Sequence, residues 1–192
     1  YPEEVIIVGG HIDSWDVGQG AHDDGGACIA SWEVLRTIKK LNLKPKRTIR
    51  CVLWTNEENG GRGNKAYRDM HIKEIDNHIL AIESDGGVFA PEGFGFSGSA
   101  EAKNIISDIH KLLIPINANN LSDGGRAADI APLNDLDVPV MSLKVDNTKY
   151  FWYHHTAADT FDKVDFTEFN NCIAAMTIMA YVVAELPDPL PR

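Results

Sequence analysis

Three short, unbroken apolar runs, each ending in a polar cluster, restrict this chain more than any other feature. "VIIVGG" (5–10), "TIRCVLWT" (48–55) and "HILAIESD" (78–85) are rich in β-branched and aromatic residues and too short for helices. A strand that meets water on one face alternates apolar and polar residues, so runs without alternation suit strands covered on both faces. Between the first two, Cys28, Trp32, Leu35 and Ile38 recur at helical spacing until Pro45 closes the segment. Further helices are expected at about 64–69, 101–113 and 166–185, and strands at "GFGFSG" and "VPVMSL". Strands alternating with helices predict an α/β class, a three-layer sandwich around a mixed, largely parallel sheet.

Composition narrows the function classes. With 192 residues, 44% of them hydrophobic, and no compositional break, the chain reads as one domain spanning 1–192. Eighteen basic against 28 acidic residues, a formal charge of −10, argue against a nucleic-acid partner. No apolar run approaches the roughly 20 residues that span a bilayer, so no membrane partner is expected. Cys28, Cys51 and Cys172 lack C-x-x-C spacing and are expected to be buried free thiols. His22 and His110 are expected at the surface. Asn120-Leu121-Ser122 fits a glycosylation sequon, a short motif that adds little support for secretion.

Open α/β sheets gather their sites where strands end. His11 and Asp13 follow the first run as H-x-D, and Asp23-Asp24 lies ten residues on in a Gly-flanked turn. Glu57-Glu58 closes the second run and Asp85 the third. "FWYHHTAADT" (151–160) supplies His154, His155 and Asp159. Singly, each has a plainer reading: turn-forming aspartates, a solvated acidic loop, a hydrogen-bonded histidine. Together they make a set of nitrogen and oxygen donors without thiolate, as hydrolytic zinc sites use. Adjacent side chains rarely serve one centre alike, so His154 and His155 are expected to have different jobs.

In order, H-x-D, G-A-x-D-D-G-G, T-x-E-E-x-G-G, E-S-D-G-G and H-H-T-x-x-D-T resemble the co-catalytic di-zinc exopeptidases of the aminopeptidase Y and glutamate carboxypeptidase family. The likeness runs from about Val5 to the C-terminus. It implies the αβα sandwich of zinc peptidases, also seen in phosphorylase/hydrolase-like folds, and two Zn²⁺ ions. It further implies hydrolysis of dipeptides or short peptides by a zinc-activated water, in a secreted or lysosomal homodimer. Carried over by motif, His11 and Asp85 share one zinc, Glu58 and His155 the other, and Asp23 bridges them. Glu57 is then the general base. Asp13 is expected to orient the His11 ring by accepting its other N–H, and Asp159 to hold the His155 loop. Gly124, Gly125 and Asp129 fall where relatives line the substrate pocket, against the alternative of an ordinary turn; Tyr150 to Tyr153 are expected to pack.

Two departures stand out. Many relatives carry tyrosine where this chain has His154; an imidazole there donates the same hydrogen bond to an oxyanion. Family domains also normally hold further strands before H-x-D, and the nearest relatives an inserted protease-associated domain. The chain is therefore expected to be the C-terminal part of a longer precursor, its sheet short of the first strands. Two rivals use the same scaffold: a single-zinc glutaminyl-cyclase-like transferase and an inactive receptor-type binding module.

Overall fold

The computed structural model describes residues 1–192. Six strands form one sheet: β1 (Val5–His11), β2 (Thr48–Trp54), β3 (His78–Glu83), β4 (Pro91–Ser97), β5 (Asn120–Asp123) and β6 (Val140–Val145). Their order is β2-β1-β3-β6-β4-β5, parallel throughout except for the antiparallel β4–β6 pair. The helices are α1 (Gly26–Lys40), α2 (Arg62–His71), α3 (Ala100–His110), the single turns α4 (Ala131–Asn134) and α5 (Tyr150–Tyr153), and α6 (Phe166–Glu185). None is long and apolar enough to cross a membrane.

The expected sandwich is present, and β1 shows why its sequence does not alternate. Ile6 and Val8 enter a large core of 30 buried residues that includes side chains of α1, α3 and α6. Val5 and Ile7 enter a smaller core of eight on the other face, with Trp54, Ile130 and Leu133. Each such side chain, fully buried, contributes roughly 1.5–3 kcal/mol. Both faces of β1 must therefore be apolar, which leaves its ends for polar groups.

α1 differs in register from its larger apolar residues. Its buried stripe runs through Ala27, Ala30, Val34 and Ile38, whereas Trp32 is 51% exposed. Small side chains let the helix approach its neighbours closely, which turns the bulky indole outward. α6 is capped by Asp165, whose carboxylate accepts from Thr167 N and Glu168 N. β5 was hidden in the sequence: "NLSD" has no strand-like pattern and pairs only along the open side of β4.

Cys28 and Cys172 are buried free thiols, as expected, and Cys51 is half-buried. The two surface histidines are a correction. His22 is 1% exposed, stacked on Phe89 at 4.1 Å and near Tyr153 at 5.5 Å. His110 is 4% exposed at the end of α3. Burial opposes charging in both and lowers their pKa values.

Candidate metal centre

At the end of β1, the His11 N–H donates to Asp24 Oδ2 at 2.9 Å, and its Nδ1 meets the main-chain carbonyl of Asp13 at 2.8 Å. That leaves Nε2 to face Asp23 Oδ1 and Asp85 Oδ1, each at 3.3 Å. The orienting group is thus the Asp13 carbonyl, not its carboxylate. The carboxylate instead accepts from the Glu57 N–H at 3.1 Å, tying the β1 and β2 loops together. Asp24, completely buried, braces the backbone of His11; Gly10 permits this, because a Cβ there would collide with Asp24 Oδ2.

Asp23 is 4% exposed and joined to Asp24 by a cis peptide. Its amide is held by Asp159 Oδ2 at 3.0 Å, while Asp159 Oδ1 accepts from His22 N at 2.7 Å. Asp159, four residues after His155, thus ties the His155 loop to the Asp23 turn.

The paired histidines both reach Asp23. His155 Nε2 lies 3.1 Å and His154 Nε2 3.5 Å from Asp23 Oδ2, with the two rings stacked at 3.6 Å. The cause is local: His155 has φ 59°, a left-handed conformation uncommon for a residue with a side chain. Such a residue stores on the order of 1–3 kcal/mol of strain, which surrounding structure must hold. This turn leaves both imidazoles on the same side, facing Asp23. Glu58 Oε2 then meets His155 Nε2 at 2.9 Å and accepts from the Trp15 indole at 2.7 Å. Trp15 is a contributor the sequence did not single out.

Glu57 follows Asn56, which also has positive φ, at 62°. It is half-buried beside Glu58; burial first, then the charge of Asp85, raises its carboxyl above the usual range. Asp129 is completely buried, with its Oδ1 accepting from Asn64 at 3.1 Å, so it lies beneath the surface rather than lining a pocket. Burial pushes its pKa up to about 7. Arg126, Ala127 and Ala128 line the neighbouring cleft instead.

Whether the donors suit a metal is answered by their electrostatics. Burial opposes charging of His11, yet hydrogen bonds to Asp23 and Asp85 and the nearby Asp24 hold its pKa far above the usual value. Asp23 Oδ2 and Glu58 Oε1 are buried acceptors without a hydrogen-bond partner. His11, Asp23 and Asp85 converge as one set of donors, and Asp23, His154 and His155 as another, sharing Asp23. Imidazole nitrogen and carboxylate oxygen fit zinc.

The description of peptidase family M28 matches residues 1–180. Carboxypeptidase Q of Xenopus laevis is 50% identical over 192 residues, which are 100% of this chain and 41% of that protein. The chain thus spans about two fifths of the length of this curated relative. The crystal structure of a peptidase M28 precursor from Shewanella amazonensis SB2B superposes with a TM-score of 0.93 at 33% identity, covering 100% of this chain and 43% of that one. An aminopeptidase from Aneurinibacillus sp. strain AM-1 shares the fold, with a TM-score of 0.76 at 24% identity over 98% of this chain and 45% of the other.

Proposed function

Because the chain belongs to peptidase family M28, we propose that residues 1–192 form the catalytic domain of a zinc exopeptidase acting on dipeptides or short peptides. The observation that carries this reading is the shared carboxylate: Asp23 turns one oxygen to His11 and the other to the His154–His155 pair. His11 and Asp85 would hold one zinc and Glu58 and His155 the other, with Asp23 between them. When bound, the ions supply Lewis acidity and bring the pKa of a water from about 15.7 toward neutrality.

The remaining roles belong to side chains. Glu57 accepts a proton from the attacking water and returns it to the leaving amine. Its partial burial, the largest cause of its raised pKa, favours uptake of that proton. The bond from its N–H to Asp13 holds it in place. His154 donates a hydrogen bond to the oxyanion of the tetrahedral intermediate. Its half-exposed ring, stacked on His155, supports that role over a purely structural one. A homodimeric assembly and a secreted or lysosomal setting belong to the same reading and rest on the likeness to carboxypeptidase Q.

A dipeptide panel assayed with and without chelator, beside Glu57→Gln, tests the reading. Hydrolysis should vanish with chelator and return with zinc, and Glu57→Gln should lose roughly 10²–10⁴-fold in rate while keeping its metal. Unchanged turnover in that variant rejects the mechanism. Zinc content separates the rivals: about two ions per chain fit the peptidase, one the cyclase, and none the binding module.

A further inference from the structure

Between β1 and the Asp23 turn, one large side chain faces the candidate centre without belonging to its donor set. Trp15 follows Asp13 by two positions. Its indole N–H donates to Glu58 Oε2 at 2.7 Å, and its ring stands 4.9 Å from that of His155, tilted by 38°. At 47% exposure, burial alone does not hold it there.

The backbone fixes this segment at both ends. Ile12 N–H donates to the Trp54 carbonyl and Gln19 N–H to the Asp159 carbonyl, each at 2.8 Å. Gly18 permits a close approach, because a Cβ there would stand 2.5 Å from the carbonyl oxygen of Thr156, the residue after His155. The same segment grips both adjacent acids. Asp13 accepts from the Glu57 N–H, and Trp15 reaches the Glu58 carboxylate, so neighbours with different jobs are held through different groups.

Glu58 has few other supports. Its side chain is 5% exposed, and its Oε1 is buried without a partner. Its Oε2 meets Trp15 Nε1 and, at 2.9 Å, His155 Nε2. A histidine nitrogen that ligates a metal has no proton left to donate. Once His155 does so, the indole N–H is the hydrogen bond that remains on this carboxylate. An indole suits the task, because it donates one proton, accepts none and carries no charge. It steers the carboxylate without competing for the metal, and without cancelling the negative charge that attracts it, as a lysine or arginine would.

We propose that Trp15 is a positioning residue for the Glu58–His155 half of the centre, its indole N–H holding Glu58 as a metal ligand. The inference rests on the zinc-peptidase reading above and adds the residue that sets the affinity of one half.

The test follows zinc on the full chain and reads metal rather than turnover. Competition with a chromophoric chelator resolves the individual affinities. Trp15→Phe keeps a ring and deletes the N–H; it should weaken one zinc roughly 10–100-fold and leave the other within about twofold of wild type. Added to Glu58→Ala it should change zinc affinity no further, because the group it acts through is gone. Each tryptophan of the isotope-labelled chain gives one indole N–H signal in nuclear magnetic resonance. The signal missing from Trp15→Phe should shift when zinc is added, whereas that of Trp32, exposed on α1, should stay. Unchanged affinities in Trp15→Phe, equal losses at both ions, or a further loss on top of Glu58→Ala overturn the proposal and leave the peptidase reading standing. A wild type that binds no zinc overturns both. Trp15-dependent zinc binding without hydrolysis upholds the positioning role and rejects the peptidase.

Discussion

At the ends of β1, β2 and β3, His11, Glu57, Glu58 and Asp85 stand beside backbone that the sheet already orders, whereas His154, His155 and Asp159 stand on irregular chain after α5. The first group is positioned largely as a consequence of burying Val5 to Val8 and their neighbours. The second depends on one left-handed residue and on the Asp159 carboxylate, which bonds amides 136 and 137 positions away. Strand ends inherit their precision from the core; the loop must be tied to it by polar bonds of its own.

Asp23 joins the two halves, so its loss should have the largest effect. Asp23→Ala is expected to lower zinc from about two ions per chain to none after dialysis, read by elemental analysis. Retention of one firmly held ion would mean that the halves bind independently. Within the loop, His155→Ala should lose one zinc. His154→Ala should keep both while activity falls roughly 10²–10³-fold, as when an oxyanion donor is removed. The opposite pattern would exchange their roles.

The contrast sharpens at the supporting residues. Asp159→Asn disturbs a carboxylate that accepts from two buried amides and should weaken zinc affinity roughly 10–100-fold. Asp13→Asn should weaken it less, because the His11 ring rests on the Asp13 main-chain carbonyl, which the substitution preserves. Equal losses in zinc titrations would break the distinction between strand end and loop.

The smallest effect lies outside both halves. Burial lowers the pKa of His110 in the folded chain, while an unfolded histidine titrates near about 6.5. As pH falls through that value, the unfolded state binds a proton that folded His110 refuses, and stability declines until the folded pKa is reached. His22 and His78 act in the same direction. His110→Gln should reduce the shift in urea midpoint between pH of about 7.5 and 5.5; an unaltered shift would assign the pH dependence to the other groups.

The same division runs through what was legible beforehand. β1, β2 and β3 announce themselves because two-sided burial leaves a continuous apolar run. β5 does not, because its four residues become a strand only beside β4. Periodicity located α1 and rightly placed Cys28 and Ile38 in its buried stripe, but not Trp32, since Ala27 and Ala30 pack inward where the indole cannot fit closely. His22 looked solvated because nothing local signals that Phe89, 67 positions away, will stack on it.

By itself the sequence determined the mixed, largely parallel sheet, the polar clusters at its strand ends and a donor set of imidazoles and carboxylates. These follow from local periodicity and residue chemistry, which need no knowledge of distant chain. Tertiary structure decided how the donors meet: both histidines on Asp23, the Asp13 carbonyl rather than its carboxylate on His11, and Asp159 on Asp23. Those contacts depend on backbone dihedrals and on bonds between residues up to 137 positions apart, so they exist only once the chain has returned to the same end of the sheet.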